Sequence, residues 1–236
     1  MRMKNHFQVS LDVEGRPCLI VGGGAEAEEK AGRLLDAQAV LTVVSPDATP
    51  ALIAWANEER LTLHTRHFDE ADLDDKYLCV NTVKSDLALS SRIFELCEAR
   101  RILISAYDQP DASNFVMVAL VRSGRLRVAF ATGATSPALA SRLRQEFEQL
   151  FDDEFARFTE YLAQQRLALE AQLPKGPERS AALRELVRGL RIRAEIDYPP
   201  AYVDFLRERD ATLGAEQELS ATPADRPERP ARAAQL

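Results

Sequence analysis

The sequence predicts an α/β fold: a doubly wound parallel sheet, followed by a hairpin segment and a small α-helical C-terminal domain. Three observations carry this prediction. An apolar run, CLIV (18–21), leads straight into three glycines and then into a charged amphipathic segment, AEAEEKAGRLL. Short apolar runs then alternate with helical-period segments over about 110 residues, the pattern of parallel strands joined by right-handed crossovers. After Asp108 the rhythm changes to two adjacent β-type runs and then to helical sequence alone.

Residues 16–22, RPCLIVG, read as a buried strand, and the acidic segment that follows puts Ala27, Ala31, Leu34 and Leu35 at helical spacing. VLTVVSP (40–46) is a second apolar strand stopped by Pro46, and PALIAWANEERL (50–61) is a helix with proline in its first turn. LTLHTRHF (61–68) alternates as an edge strand does, whereas YLCVNTV (77–83) reads as a central buried strand. In SDLALSSRIFELCEARR (85–101), Leu89, Ile93, Leu96 and Cys97 share one helical face, and ILISAYD (102–108) is a strand ending on a carboxylate. SNFVMVALVRSG and RLRVAFATG read as two strands around a Ser-Gly turn, which sets a boundary near 112. From Pro137 to about Glu195 the sequence is helical, broken at LPKGPERS (173–180) by two prolines and a glycine. From about Ala215 onward the chain is rich in Ala, Pro and charge without an aromatic residue, so disorder is expected there. The expected division is therefore 1–112, 113–145, 146–214 and the tail 215–236.

Length and composition narrow the function classes. With 236 residues the chain accommodates two modules, and 46% hydrophobic against 28% charged residues is ordinary for a soluble protein. No apolar run approaches the roughly 20 residues of a membrane helix. The N-terminus has neither the apolar core nor the cleavage site of a secretory signal, so a cytoplasmic location is expected. A net charge of −7 argues against a nucleic-acid partner. Cys18, Cys79 and Cys97 are far apart and form no CxxC pair, which reads as small buried hydrophobes rather than a disulfide framework or thiolate metal site.

The chemistry starts at the glycines. Gly22, Gly24 and Ala27 fit G-x-G-x-x-G/A: a tight turn, a close backbone approach to a pyrophosphate, and a small residue where helix packs on strand. A helix N-terminus beyond them offers N–H donors and the positive end of its dipole to phosphates. The pattern therefore predicts a Rossmann-like sheet that binds a dinucleotide. The second strand ends in Ser45 rather than an acidic residue, with Asp47 two positions beyond, and no arginine stands nearby to receive a 2′-phosphate. NAD is the expected cofactor.

Strand-GGG-helix, then SAYDQPDASNF, then GRLRVAFATGATSPALASRLR together resemble the precorrin-2 dehydrogenase/sirohydrochlorin ferrochelatase family, the dehydrogenase module of siroheme synthases. The likeness runs in order over roughly residues 5 to 165, through FQVSLDVEGRPCLIVGGG, WANEERLTL and FDEADLD. The resemblance implies an NAD-binding Rossmann domain, a dimerisation segment at 113–145, a helical C-terminal domain, and a homodimer. It implies removal of a hydride and a proton from precorrin-2 to give sirohydrochlorin, with ferrous iron as a further substrate in those members that chelate. Some members carry a fused methyltransferase module; the roughly 70 residues after 165 are too few for one, so precorrin-2 is expected from a separate enzyme.

Residue by residue, the resemblance gives the family's catalytic carboxylate to Asp108 of SAYDQP, as a proton acceptor. Asp is also a common turn residue before proline, and that reading stays open. The cofactor positions become Gly22, Gly23, Gly24, Ala25, Glu26, Ala27, Pro46 and Asp47. The serine-loop equivalent, ATGATSP, gives Thr132, Gly133, Thr135 and Ser136 to the tetrapyrrole or the dimer contact, while Ser136-Pro137 is equally a good helix start. The chain departs from the family at Ser105 (commonly Asn), Val118 (Pro) and Ala134 (Gly), and in NTVKSDLALSS after the fourth strand. These changes surround the cleft, and Ser105 is counted with the substrate positions.

Precorrin-2 carries eight carboxylates, which arginines pair bidentately. Arg122, Arg125, Arg127, Arg142 and Arg144 surround the site segment, and Arg125 and Arg127 are expected on one strand face. Solvated surface charge is the alternative for all of them. His6, His64 and His67 are the only histidines, and the latter two point to opposite faces of an edge strand, so no metal site is expected. Two other functions stay open: a dehydrogenase without chelatase activity, and a non-catalytic NAD-sensing Rossmann module.

Overall fold

A computed structural model describes residues 7–133 and 135–209, arranged in two compact units that meet in sequence between Ala168 and Leu169. His6, Ala134 and the tail from Ala215 lie outside the described residues.

The first unit is built on five parallel strands: β1 (Pro17–Val21), β2 (Val40–Val44), β3 (Thr62–His64), β4 (Leu78–Asn81) and β5 (Leu103–Ala106). Their order across the sheet is β3-β2-β1-β4-β5, so the chain runs one way from β1 to β3 and then crosses back to β4. That reversal between β1 and β4 makes the crevice where such sheets take their ligands. The helices α1 (Ala25–Asp36), α2 (Pro50–Asn57) and α3 (Leu87–Arg100) make three of the crossovers, and the connection from β3 back to β4 carries only a short 3-10 helix (Glu70–Leu73).

Strand periodicity explains the two cores. Cys18 and Ile20 of β1 face one side with Val43, Leu78, Ala27, Ala31 and Leu52; Leu19 and Val21 face the other with Val44, Cys79, Ile93 and Ile104. The strands read as continuous apolar runs because both faces are covered. Ile93 is fully buried in the second core, and Ile93→Ala is expected to cost about 2–5 kcal/mol in denaturant unfolding. A change below about 1 kcal/mol would show that α3 does not seal that face.

Strand β3 is three residues long, shorter than LTLHTRHF suggests, and only His64 of the two histidines lies on it. Between β5 and the next strand, a 3-10 turn (Pro110–Ala112) and an extended stretch replace the long first hairpin strand that SNFVMVALVRSG suggests. The reason is local. Ser113 and Asn114 turn back onto β5, where Ala106 N–H donates to Ser113 Oγ (2.8 Å) and Ile104 N–H to Asn114 Oδ1 (2.8 Å).

A separate antiparallel ribbon follows, β6 (Ala119–Ser123) and β7 (Leu126–Phe130), closed by Gly124-Arg125 rather than Ser-Gly. Gly124 has φ +53°, and a Cβ there would stand 2.3 Å from Thr159 Oγ1 and 2.8 Å from the Ala156 carbonyl, so glycine lets the turn seat on α5 (Asp153–Gln172). Helix α4 (Pro137–Leu150) packs on the ribbon, and Phe130, Phe147, Phe151 and Phe155 form a ring-to-ring string with centroids 4.7–5.9 Å apart. Residues 151–152 separate α4 from α5, a break that the continuous helical pattern concealed.

The second unit is described through residue 209. It contains the last residues of α5, then α6 (Pro177–Glu185), which starts inside the predicted break at 173–180 because Pro177 takes the first helical position, and a further helical stretch at 200–209. Residues 190–199, expected to continue the helix as far as Glu195, are irregular. Among the described residues, no helix is long and apolar enough to cross a membrane.

Candidate functional site

The three glycines do different work. Gly22 has φ +109° and a Cβ there would lie 2.3 Å from Thr82 Oγ1, so the turn out of β1 passes hard against the end of β4. A Cβ on Gly23 would meet the Asp47 carbonyl at 2.0 Å, and the Gly23 carbonyl accepts from Thr49 N–H at 2.9 Å. Gly23 is thus the seam between the first loop and the β2–α2 loop. Nothing stands within 4 Å of a Cβ on Gly24, which is exposed.

Gly24 is also the N-cap of α1, and no side chain caps that end. The first backbone N–H groups of α1 therefore face open space at a helix N-terminus, the arrangement that holds a dinucleotide pyrophosphate. Ala27 is fully buried under the helix. Ser45 is buried, whereas Pro46 and Asp47 are exposed beyond β2. The residues present therefore fit a bound dinucleotide.

Asp108 follows β5, exposed, with φ +58°, a conformation that Asp tolerates better than most residues. It stands in the wall of a cavity of about 470 Å³. The walls are mixed: Val80, Met117, Val118, Phe130 and Ala140 are apolar, and Lys30 and Arg144 bring positive charge. Ser105, Thr132 and Gly133 also line it.

The loop that carries Asp108 is pinned on both sides. Gln109 Nε2 donates to the Val83 carbonyl (3.0 Å), and Ser113 Oγ donates to the Gln109 carbonyl (2.9 Å). Buried Asn81 fixes the neighbouring loop, donating to Ser90 Oγ (2.8 Å) and accepting from Val83 N–H (3.0 Å). The NTVKSDLALSS segment is thus tied to the Asp108 loop through Val83.

Tyr107 lines the same cavity. The carboxylate of Glu26 accepts its hydroxyl, which pushes the Tyr107 pKa up, and the Lys84 and Lys30 ammonium groups lie 4.0 Å and 6.0 Å from its ring centroid. This contact joins the end of β5 to the first turn of α1.

The remaining candidate residues separate. Ser136 is the N-cap of α4, its Oγ accepting from Leu139 N–H at 3.1 Å, so the helix-start reading describes its contact. Thr132 braces the same loop, its Oγ1 donating to the Ser136 carbonyl (3.1 Å). Thr135 is exposed and outside the cavity lining. Arg125 and Arg127 do not share a strand face, because Arg125 occupies the turn and pairs with Glu160 (3.1 Å), while Arg127 donates to the Gly124 and Leu126 carbonyls. Arg122 pairs with Asp36, Arg142 with Glu146, and Arg144 with Glu148.

Lys30, Tyr107, Ser113 and Phe130 are not among the residues that the sequence pattern singles out. Lys30 is legible there only as part of a charged helix; that it lies four residues after Glu26, on one stripe, is the available signal.

Among the described residues, no group of three or more His, Cys, Asp or Glu side chains could hold a metal ion. All three cysteines are buried out of reach of solvent reagents; burial pushes Cys18 up to about 11, while the hydrogen bond between Cys79 and Cys97, with burial adding to it at Cys79, pushes Cys79 up and draws Cys97 down. Iodoacetamide at mildly alkaline pH is therefore expected to leave the native protein unlabelled and to label all three thiols in denaturant. Native labelling would show that the sheet opens locally.

A family model described as putative NAD(P)-binding matches residues 9–119. Siroheme synthase from Escherichia coli O139:H28 (strain E24377A / ETEC) is 39% identical over 175 residues, covering 74% of this chain and 38% of that protein. Siroheme synthase from Salmonella schwarzengrund (strain CVM19633) is 37% identical over the same length. The chain thus spans 38% of the length of these curated relatives. A solved structure of SirC, precorrin-2 dehydrogenase, aligns with TM-score 0.64 and 24% identity over 78% of this chain and 90% of that one, which shows a common fold. The chain carries an NAD(P)-binding Rossmann-like sheet and belongs to the precorrin-2 dehydrogenase/sirohydrochlorin ferrochelatase family, the module shared with siroheme synthases.

Proposed function

We propose that this chain is an NAD-dependent dehydrogenase that converts precorrin-2 to sirohydrochlorin in siroheme biosynthesis. The observation that carries the reading is Asp108 in the wall of a largely apolar cavity whose positive groups are Lys30 and Arg144. Such a cavity suits a macrocycle that is apolar at its centre and carboxylated at its rim.

Bound NAD would supply the hydride acceptor. The chain's own residues do the rest. Gly24 and the first N–H groups of α1 hold the pyrophosphate, and Gly22 and Gly23 keep that loop against β4 and the β2–α2 loop. Asp108 takes the proton that leaves as the hydride departs, so two electrons and two protons are accounted for. The hydrogen bonds at Gln109 and Ser113 hold its loop still, and Val80, Met117 and Phe130 exclude water from the ring. Ser105, Thr132 and Gly133 line the same space.

Incubation of the purified chain with precorrin-2 and NAD is expected to give the sirohydrochlorin absorbance spectrum. Tight NAD binding with no spectral change and no tetrapyrrole binding would instead identify a dinucleotide sensor. Ferrous-ion insertion would be a separate second step, in which Asp108 would receive pyrrole N–H protons. Insertion into sirohydrochlorin no faster than without protein would leave the dehydrogenase alone.

Asp47, exposed just past β2, is the acidic residue available to a ribose hydroxyl. NAD is expected to bind at least about tenfold tighter than NADP, and Asp47→Arg to narrow that ratio. Equal affinities in the unmodified chain would remove Asp47 from cofactor selection.

The chain acts as a cytoplasmic homodimer through 113–145, with 1–112 as the cofactor domain and 146–214 as the helical domain. The two-stranded ribbon β6–β7 supports this: an isolated ribbon leaves strand edges that a second copy can cover. Light scattering is expected to return twice the 26.3 kDa chain mass. A monomer at micromolar concentration would overturn it.

A further inference from the structure

The large cavity shares part of its wall with a second, smaller one. About 290 Å³ in volume, it is lined by Arg33, Arg122 and Arg144 together with the single carboxylate Glu29 and the backbone run Val118–Leu120. Val118, Ala119 and Arg144 line both cavities, so Arg144 stands where they meet.

The local sequence explains how the charge collects there. Glu26, Lys30 and Arg33 fall at i, i+4 and i+7 on α1 and form one stripe. Glu26 meets Tyr107, Lys30 reaches the large cavity, and Arg33 reaches the small one. Arg122 comes from β6, and Arg144 comes from the third turn of α4.

Arg33 is anchored, with Nη2 donating to the Val118 carbonyl at 3.2 Å and its side chain 22% exposed. Burial holds its pKa below the ordinary guanidinium value, and the nearby charge of Arg122 adds to the effect against Glu29. Two cations brought together in a half-buried recess welcome an anion. The carboxylates now paired with these arginines, Glu29, Asp36 and Glu148, have side chains 50%, 62% and 42% exposed, so a ligand carboxylate can replace them at little cost.

We propose that this second cavity is an anion subsite that receives carboxylate arms of a macrocycle seated in the larger cavity, with Arg144 shared between ring edge and arms and with Arg33 and Arg122 binding the arms. The inference rests on the tetrapyrrole reading of the large cavity. Arginine is suited to the role because its planar fork meets a carboxylate with two hydrogen bonds.

The test is equilibrium binding to the full chain, read by porphyrin fluorescence, with uroporphyrin (eight carboxylates) and coproporphyrin (four) as probes. Uroporphyrin is expected to bind more tightly, with an affinity that falls as salt rises. Arg122→Gln, which removes a side chain held only by an exposed pair, is expected to weaken uroporphyrin about tenfold. The same change should shift coproporphyrin by less than about twofold, and Arg122→Lys should recover part of the loss. Arg144→Gln is expected to weaken both probes, while NAD affinity stays unchanged in every variant. Equal binding of the two porphyrins by the unmodified chain, or unaltered uroporphyrin binding in both Arg122→Gln and Arg144→Gln, would overturn the subsite. Failure to oxidise precorrin-2 with porphyrin binding intact would sink the dehydrogenase reading and leave the subsite standing.

Discussion

Asp108→Asn is expected to lower the turnover of precorrin-2 with NAD by about 10²–10⁴-fold, the usual worth of a positioned proton acceptor, while NAD binds as before. Asparagine is the informative replacement because Asp108 has φ +58°, a region that Asn occupies readily and alanine does not. Alanine would add a backbone cost of about 1 kcal/mol and blur a chemical effect with a structural one. The carboxylate is exposed and its loop is held by Gln109 and Ser113, so the melting temperature should stay within about 2 °C. A turnover within about threefold of the unmodified chain would take Asp108 out of the proton-transfer step.

Gly24→Ala and Gly23→Ala should part company. At Gly24 the added Cβ meets nothing within 4 Å and φ is −81°, so folding is expected to change by no more than about 1 kcal/mol, the cost of a poorer N-cap. The methyl group would occupy the space in which a pyrophosphate approaches the backbone, and NAD affinity is expected to fall at least about tenfold. At Gly23 the Cβ collides with the Asp47 carbonyl at 2.0 Å and with Ser45 at 2.9 Å, and the β2–α2 loop has to move. Overpacking of this kind costs about 1–3 kcal/mol, a fall in melting temperature of several degrees, with cofactor binding lost as a consequence. Calorimetry and NAD titration on the two variants separate a binding residue from a packing residue. Undiminished NAD binding by Gly24→Ala would mean that this loop is not the cradle.

Much of the fold was legible because each parallel strand is buried on both faces. Cys18–Val21, Val40–Val44 and Leu78–Asn81 are short apolar runs whose alternate residues enter opposite cores, and the charged helices between them carry their own period. The stretch after β5 was less legible. SNFVMV has strand composition, yet Ser113 and Asn114 spend their side chains on β5, and that competition depends on a partner distant in space rather than in the pattern. The arginines divide for the same reason. Sequence brings Arg122, Arg125, Arg127 and Arg144 close together along the chain, but a two-residue turn sends Arg125 to Glu160 while β6 and α4 carry Arg122 and Arg144 to one recess.

Strand period, glycine stereochemistry and chain order are local properties, and for that reason the sheet, the glycine turn and the carboxylate at the end of β5 are already written in the chain. Which of three adjacent glycines faces open space is not, nor is the gathering of Lys30 and Arg33 of α1 with Arg144 of α4 around two cavities that share a wall. Those facts arise from where helices dock on a sheet, and docking is settled by the buried faces of elements far apart in the chain.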